Sequence, residues 1–255
     1  MGEDACDAAP DVWALPTPAS AVSRPTSSHP LLLGASPGTT GTMSLYFALK
    51  LLGISAVHYT RQFNASTGSE LTTYTSQPPG GPVPLLRPLF GDVPSGGGPP
   101  PVDLPAARAA DLRFLDATDA LLDTPTMELF FELLATFPAA RVILTTRDPQ
   151  QWAASRQRRH PADAAPLFGQ LGFNVPVGAI SPEQAAASFA LWQKAVGGSV
   201  RPNQLLVLDL FATASDQLWR QLCAFVRRPL PVADDGSLPT FPHLRYGDDV
   251  RIPAS

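Results

Sequence analysis

Leu31-Leu32-Leu33-Gly34-Ala35-Ser36-Pro37-Gly38-Thr39-Thr40-Gly41-Thr42-Met43-Ser44-Leu45 is the stretch of sequence that decides the fold. Its three leucines predict a buried parallel strand, because a short continuous apolar run suits a strand that is covered on both faces. From Thr42 to Leu52 the apolar residues recur at helical spacing. A glycine-rich turn between a strand and a helix presents backbone N–H groups at the positive end of the helix, where anions bind. The stretch therefore predicts a P-loop-like phosphate-binding strand, loop and helix.

Strand and helix patterns alternate along the rest of the chain. The predicted strands are 54–59, 120–122, 141–146 and 205–210, and the predicted helices are 106–115, 124–137, one that starts at Asp148-Pro149, 181–196 and 215–226. Strands that alternate with helices imply a parallel sheet with helices on both faces. We therefore predict an α/β fold with three layers and a parallel central sheet.

The domain organisation follows from composition. Residues 1–29 are rich in Ala, Pro, Ser and Thr without periodicity, and we predict a flexible leader. Residues 30–226 form the α/β domain, which is interrupted by a Pro/Gly-rich segment at 76–105 that we expect to be a surface excursion or a lid. Residues 227–255 are predicted to be a Pro-rich C-terminal tail.

Charge and composition exclude several classes of function. The formal net charge of −4 argues against nucleic acid as a partner, since binding the phosphate backbone needs a basic face. Cys6 and Cys223 cannot form a disulfide framework, and no run approaches the length of a membrane helix or a secretory signal. We expect a cytoplasmic protein without a membrane span. The four histidines show no ligand spacing, so we expect no metal.

The loop departs from the Walker A pattern. That pattern needs glycine, four residues, glycine, lysine and then serine or threonine, whereas here Ser36 stands in place of the first glycine and Thr42 in place of the lysine. This difference disfavours a nucleotide triphosphatase or a small-molecule P-loop kinase, which stays the weakest alternative.

Further motifs carry a resemblance to a known family. They are Thr40-Gly41-Thr42-x-Ser44-Leu45, Leu52-Gly53, His58-Tyr59, 119–125, 137–149, Trp152-x-x-Ser155, Leu222-Cys223-x-Phe225 and Phe241-Pro242-His243. Over residues 31–243 this pattern resembles the P-loop-type sulfotransferases that use 3′-phosphoadenosine 5′-phosphosulfate (PAPS), in the subgroup that reads Arg-Thr-Gly-Thr-x-Ser-Leu. The most specific part is the block from Arg147 to Ser155.

The resemblance implies a reaction and a donor site. A sulfuryl group would pass in line from PAPS to a hydroxyl or amine of a small-molecule acceptor, and adenosine 3′,5′-bisphosphate would be released. The implied donor-binding residues are Gly38, Thr39, Thr40, Gly41, Thr42, Met43 and Ser44 in the loop, with Arg147 and Ser155 on the 3′-phosphate. Arg147 ends a predicted strand at the carboxyl edge of the sheet, where ligands bind in open α/β folds.

The chain departs from the family at Thr39, where members have a lysine or arginine that contacts the 5′-phosphosulfate. Arg61 and Arg156 are candidates to replace this cation, and the sequence does not choose between them. If neither does, the protein would be a catalytically weak or inactive nucleotide-binding relative.

Two residues are candidates for the general base that takes the acceptor's proton. Asp123 follows a predicted strand at the sheet edge near the loop, although it could equally be the N-cap of a helix. His58 ends the second predicted strand, although it could be a packed histidine; His160 is a weaker third candidate. Aromatic residues that could line an acceptor pocket are Tyr59, Phe63, Phe168 and Phe173.

Overall fold

The structure is a computed structural model that describes residues 31–73, 81–92, 100–170, 173 and 175–244. The predicted leader lies outside these ranges, as do parts of the 76–105 segment and of the 227–255 tail. The domain boundaries therefore stay predictions.

A central sheet of seven strands organises the described part of the chain. Its strands are β1 (Leu32–Gly34), β2 (Ala56–His58), β3 (Arg61–Asn64), β4 (Ser69–Thr72), β5 (Ala120–Leu122), β6 (Arg141–Thr146) and β7 (Leu205–Asp209). The order across the sheet is β4-β3-β2-β5-β1-β6-β7. Strands β2, β5, β1, β6 and β7 pair in parallel in that order, and β3 and β4 add an antiparallel hairpin at the edge next to β2. The phosphate-loop strand β1 thus lies inside the parallel part of the sheet.

Helices cover both faces of the sheet. They are α1 (Thr42–Leu51), α2 (Leu104–Ala109), α3 (Phe130–Thr136), α4 (Pro149–Arg159), α5 (Pro166–Gln170), α6 (Pro182–Ser199) and α7 (Ser215–Val226). Helices α1 and α7 bury their apolar side chains against one face, and α2, α3 and α6 bury theirs against the other. Helix α4 packs on α6, where the rings of Trp152 and Phe189 stack 4.6 Å apart. The predicted three-layer α/β architecture is confirmed.

The structure differs from the local expectations, or adds to them, in three places. The helix predicted for 124–137 begins only at Phe130, and residues 124–129 form turns that carry Glu128 toward the sheet edge. The hairpin of β3 and β4 has short half-exposed strands whose alternation is too weak to read from the sequence. In the 76–105 segment Val83, Leu86 and Leu89 are fully buried, because proline prevents regular strand pairing but does not prevent apolar packing.

The segment after α7 also packs on the domain. Residues 227–244 contain neither helix nor strand, yet Phe241 is buried and the Trp219 indole donates a hydrogen bond of 2.8 Å to the carbonyl of Pro239. The Leu244 amide donates to Ser44 Oγ at 3.0 Å. This contact brings the end of the described chain to the first turn of α1.

Candidate active site

The loop between β1 and α1 is fixed from the inside by hydrogen bonds to its polar groups. Ser36 Oγ accepts from the Thr145 amide, and Thr40 Oγ1 bonds to both the Pro37 carbonyl and Thr145 Oγ1, at 2.6 to 2.8 Å. The indoles of Trp152 and Trp192 donate to the carbonyls of Gly38 and Ala35, at 3.1 and 2.8 Å. The loop is therefore held rigidly before any ligand arrives, and the Thr40 hydroxyl is used for this purpose.

The backbone of the loop is strained where it meets the helix. Gly41 adopts φ 95°, which a glycine tolerates, but Thr39 adopts φ 68°, which is unfavourable for a β-branched residue. Tyr59 and Asp123 also have positive φ, at 44° and 61°. Strained non-glycine residues persist where the surrounding structure enforces them, and they cluster at functional sites.

The N-terminus of α1 is available to an anion. The first amides of the helix, from Thr42, Met43 and Ser44, have no hydrogen-bond partner inside it. The N-cap residue Gly41 has no side chain that could accept from them. The Thr42 hydroxyl turns to His58, and Met43 packs partly into the core. Ser44 Oγ accepts from Leu244 and keeps its proton for another partner.

A cavity of about 570 Å³ opens beside this helix end. Its walls are formed by Thr39, Gly41 and Ser44 of the loop region, Arg147 after β6, one face of α4 (Gln151, Ala154, Ser155, Arg158 and Arg159), and Leu210, Phe211, His243 and Leu244. The α4 residues follow helical spacing, so one helix face presents Ser155 together with two arginines. The cavity is rich in the groups that bind phosphate.

Arg147 connects the cavity to the loop. Its Nη1 donates to the carbonyl of the strained Thr39 at 3.1 Å, and its guanidinium lies over the ring of Phe211, 4.2 Å from the centroid. Its Nε is buried and has no partner among the described residues. Burial, and then the neighbouring Arg159, lower the pKa of Arg147. A buried donor in a cluster of positive charge marks a place where an anion would be stabilised.

His58 and Asp123, the two predicted base candidates, lie side by side. His58 Nε2 is 3.2 Å from Asp123 Oδ2 and 3.0 Å from Thr42 Oγ1. The His58 side chain is only 5% exposed, whereas Asp123 is 20% exposed. Burial lowers the pKa of His58, although the Asp123 carboxylate opposes this shift. The imidazole is thus neutral at neutral pH, and Asp123 does not cap α3, which starts seven residues later.

The charge of Asp123 acts on two further polar groups. Tyr59 Oη and Glu128 Oε2 are buried without a partner in the described part of the chain. Burial raises the pKa of Tyr59 to about 12 and that of Glu128 to about 7, and in both cases Asp123 adds to the shift. The Thr124 hydroxyl donates to the other oxygen of Glu128 at 3.0 Å.

The two candidate cations differ sharply in position. Arg156 is buried, and its Nη1 lies 2.3 Å from the point that a Cβ on Gly38 would occupy. Arg61 instead lies over the ring of Phe47 and 3.4 Å from Glu70. Only Arg156 of these two contacts the loop.

The remaining candidates lie further from this centre. Phe63 is buried in the core under α1, and Phe173 is 61% exposed. His160 lies 3.9 Å from Asp163, which also accepts a hydrogen bond from Arg156. The charge of Asp123 acts on Tyr59, and Phe168 is half-buried in α5.

Comparison with known proteins agrees with this geometry. The family model of the sulfotransferase domain matches residues 31–175, which is more than half of the chain. The chain belongs to the sulfotransferase domain family. It is also similar to Ava biosynthesis cluster protein M of Aspergillus versicolor, with 28% identity over 230 residues that cover 82% of this chain and 78% of that protein.

Several residues of this sulfotransferase-family site escaped the sequence interpretation. The sequence alone predicts that Arg158 and Arg159 are part of a solvated basic patch. They follow Ser155 by three and four residues, which places all three side chains on one helix face. Glu128 and Phe211 carry no such signal, because each reaches the site through an irregular segment.

Two negative findings apply to the described residues of this family member. None of their helices is both long and apolar enough to cross a membrane. Nor do these residues contain a group of three or more side chains that could hold a metal ion.

Proposed function

We propose that this protein transfers a sulfuryl group from PAPS to a hydroxyl or amine of a small-molecule acceptor. The observation that carries the proposal is the cavity that joins the uncapped N-terminus of α1 to the arginine cluster of Arg147, Arg158 and Arg159. PAPS carries anionic groups at the 3′ and 5′ positions of its ribose, and the cavity wall includes two separate anion-binding features.

The residues present fit this donor. The loop amides and Ser44 would hold the 5′-phosphosulfate, as backbone amides at helix N-termini do for phosphates. Arg147 and Ser155 would hold the 3′-phosphate, and the partnerless Nε of Arg147 would gain an acceptor. Leu210, Phe211 and Leu244 offer an apolar wall for the adenine ring.

The reaction exchanges one bond to sulfur for another. A bond forms between the acceptor oxygen or nitrogen and sulfur, while the bond from sulfur to the bridging oxygen breaks and its electron pair stays on the leaving 5′-phosphate. The acceptor's proton passes to a base of the protein. The protein's task is to align the groups, take this proton and stabilise the charge on the leaving phosphate.

We assign the base role to Asp123 and a positioning role to His58. Asp123 is the more exposed of the pair, and its charge acts on Tyr59 and Glu128, each of which keeps a buried polar atom without a partner among the described residues. The neutral imidazole of His58 links the Asp123 carboxylate to Thr42 in the first turn of α1, which ties the base to the phosphate loop. A base held in this way keeps a fixed orientation toward the acceptor.

The acceptor is proposed to be a small molecule. The name of the Aspergillus versicolor relative places it in a biosynthesis cluster, which supports a metabolite rather than a macromolecule as the acceptor. The partnerless Tyr59 Oη and Glu128 Oε2 favour an acceptor with a second hydrogen-bonding group beside the nucleophile.

Two measurements test the proposal. Calorimetric titration should give binding of adenosine 3′,5′-bisphosphate at micromolar concentration and much weaker binding of ATP, because the arginine cluster recognises a 3′-phosphate. Labelled PAPS should then transfer its label to at least one member of a panel of phenols, alcohols and amines. If ATP binds more tightly than the bisphosphate, the proposed donor is wrong.

A further inference from the structure

Arg156 occupies an unusual position for an arginine on a surface helix. Its neighbour Ser155 lines the cavity, whereas Arg156 is only 8% exposed and lies against the phosphate loop behind the cavity wall. Its Nη2 donates to Asp163 at 2.5 Å, and Nη1 is directed at the backbone of Gly38. The side chain is thus clamped by one carboxylate while its second amino group contacts the phosphate loop.

Gly38 is the residue that makes this contact possible. A Cβ at this position would lie 2.3 Å from Nη1 of Arg156, closer than any real contact, although the backbone φ of Gly38 is outside the left-handed region. Steric room for the guanidinium therefore explains a glycine here, and no backbone requirement does. The conflict involves only the end of a flexible side chain, so an alanine would displace Arg156 without distorting the loop.

The charge of the same guanidinium also acts on a carboxyl group near the proposed base. Burial raises the pKa of Glu128, Asp123 adds to this shift, and Arg156 opposes it. Arg156 therefore acts on the phosphate loop through contact and on Glu128 through its charge. The other cations near α1, Lys50 and Arg61, are both engaged by Glu70 instead.

We propose that Arg156 is a catalytic residue that supplies the loop's missing cation, in place of the basic residue that Thr39 replaces. It would contact the 5′-phosphosulfate and stabilise the electron pair that the leaving 5′-phosphate receives when its bond to sulfur breaks. Gly38 and Asp163 are positioning residues that set the place of the guanidinium. This inference rests on the proposed function.

The test combines protein variants with a truncated ligand. Calorimetry would compare adenosine 3′,5′-bisphosphate with adenosine 3′-monophosphate, which lacks the 5′-phosphate, on wild type, Arg156→Gln, Arg156→Lys, Gly38→Ala and the double variant. Arg156→Gln should weaken binding of the bisphosphate by about thirtyfold and binding of the monophosphate by less than about threefold. Arg156→Lys should recover part of the loss, because it keeps the charge. An exposed arginine, Arg113, which pairs with Asp111, supplies the matched control Arg113→Gln.

Gly38→Ala separates the position of the charge from its presence. It should also selectively weaken the binding of adenosine 3′,5′-bisphosphate. Its effect should largely disappear in the Arg156→Gln background, because both changes remove the same contact. Single-turnover transfer should fall in parallel.

Three results would overturn the inference. One is an Arg156→Gln variant that melts like wild type and binds the bisphosphate equally well. Another is an equal loss for both ligands, which would make Arg156 a structural support of the site. The third is strict additivity with Gly38→Ala. Failure of wild type to bind the bisphosphate at all would instead refute the proposed function.

Discussion

Replacing Arg147 with alanine should selectively destroy recognition of the 3′-phosphate. A hydrogen bond to a charged group is worth about 1.5 to 3 kcal/mol, which corresponds to about a tenfold to 150-fold loss of affinity. The variant also loses the 3.1 Å bond from Nη1 to the Thr39 carbonyl, so the strained loop residue is less firmly held. Because both contacts are lost, we expect the loss of affinity to lie near the upper end of this range, at about a hundredfold.

The assay is calorimetric titration with two ligands. Adenosine 3′,5′-bisphosphate should lose about a hundredfold in affinity, whereas adenosine 5′-monophosphate, which has no 3′-phosphate, should lose less than about fivefold. Arg113→Ala serves as the control, because Arg113 is exposed and pairs with Asp111 away from the cavity. Unchanged binding of the bisphosphate would refute the assignment of Arg147 to the 3′-phosphate. Equal losses for both ligands would mean that Arg147 acts only through Thr39.

Three further perturbations test other parts of the site. Asp123→Asn should slow single-turnover transfer by about a hundredfold or more and change bisphosphate affinity by less than about threefold, since a base acts on the chemical step. Thr39→Arg should lower turnover by about tenfold because it crowds Arg156, but should raise turnover when Arg156 is replaced by glutamine. Glu128→Gln should make the protein more stable above pH 7, by up to about 3 kcal/mol in denaturant titrations, and this gain should vanish below about pH 4.5.

The sign of the Glu128 effect follows from the direction of its pKa shift. Burial raises this pKa from 4.5 to about 7, so the folded protein holds a proton that the unfolded chain has released between these pH values. Wild type therefore loses stability as the pH rises through this window, whereas the glutamine variant does not. Parallel stability curves for the two proteins would show that Glu128 is not buried as described. Full activity of Asp123→Asn, or higher turnover of Thr39→Arg in the wild-type background, would refute the corresponding assignments.

Local sequence patterns were sufficient where an element is regular and buried on both sides. The predicted strands 120–122 and 141–146 and the predicted helix 215–226 match β5, β6 and α7. Their apolar periodicity and their turn residues point to the same answer. That Arg147 and Ser155 lie at the same edge of the sheet was predictable for a similar reason, because Arg147 directly follows β6 and Ser155 lies on α4, the next regular element.

The same patterns failed where a residue's environment is set by distant contacts. Thr124-Pro125 looks like the start of a helix, but residues 124–129 form turns that bury Glu128 beside Asp123. The 76–105 segment looks like a surface excursion or a lid, but Val83 and its apolar neighbours are buried in the core cluster on one face of the sheet. Composition describes what a segment cannot form and does not describe what it packs against.

The sequence by itself determined the alternation of the five parallel strands with helices, the phosphate-type loop and the absence of a basic loop residue at Thr39. Only the tertiary structure decided which of the two candidate replacement arginines contacts that loop. Arg61 and Arg156 are equally plausible from their chemistry, but the hairpin of β3 and β4 ties Arg61 to Glu70, while α4 carries Arg156 to Gly38. The physical reason is that the partner of a charged side chain is fixed by how whole elements pack. The loop and α4 meet only because β1 and β6, separated by about a hundred residues, pair in parallel in the centre of the sheet.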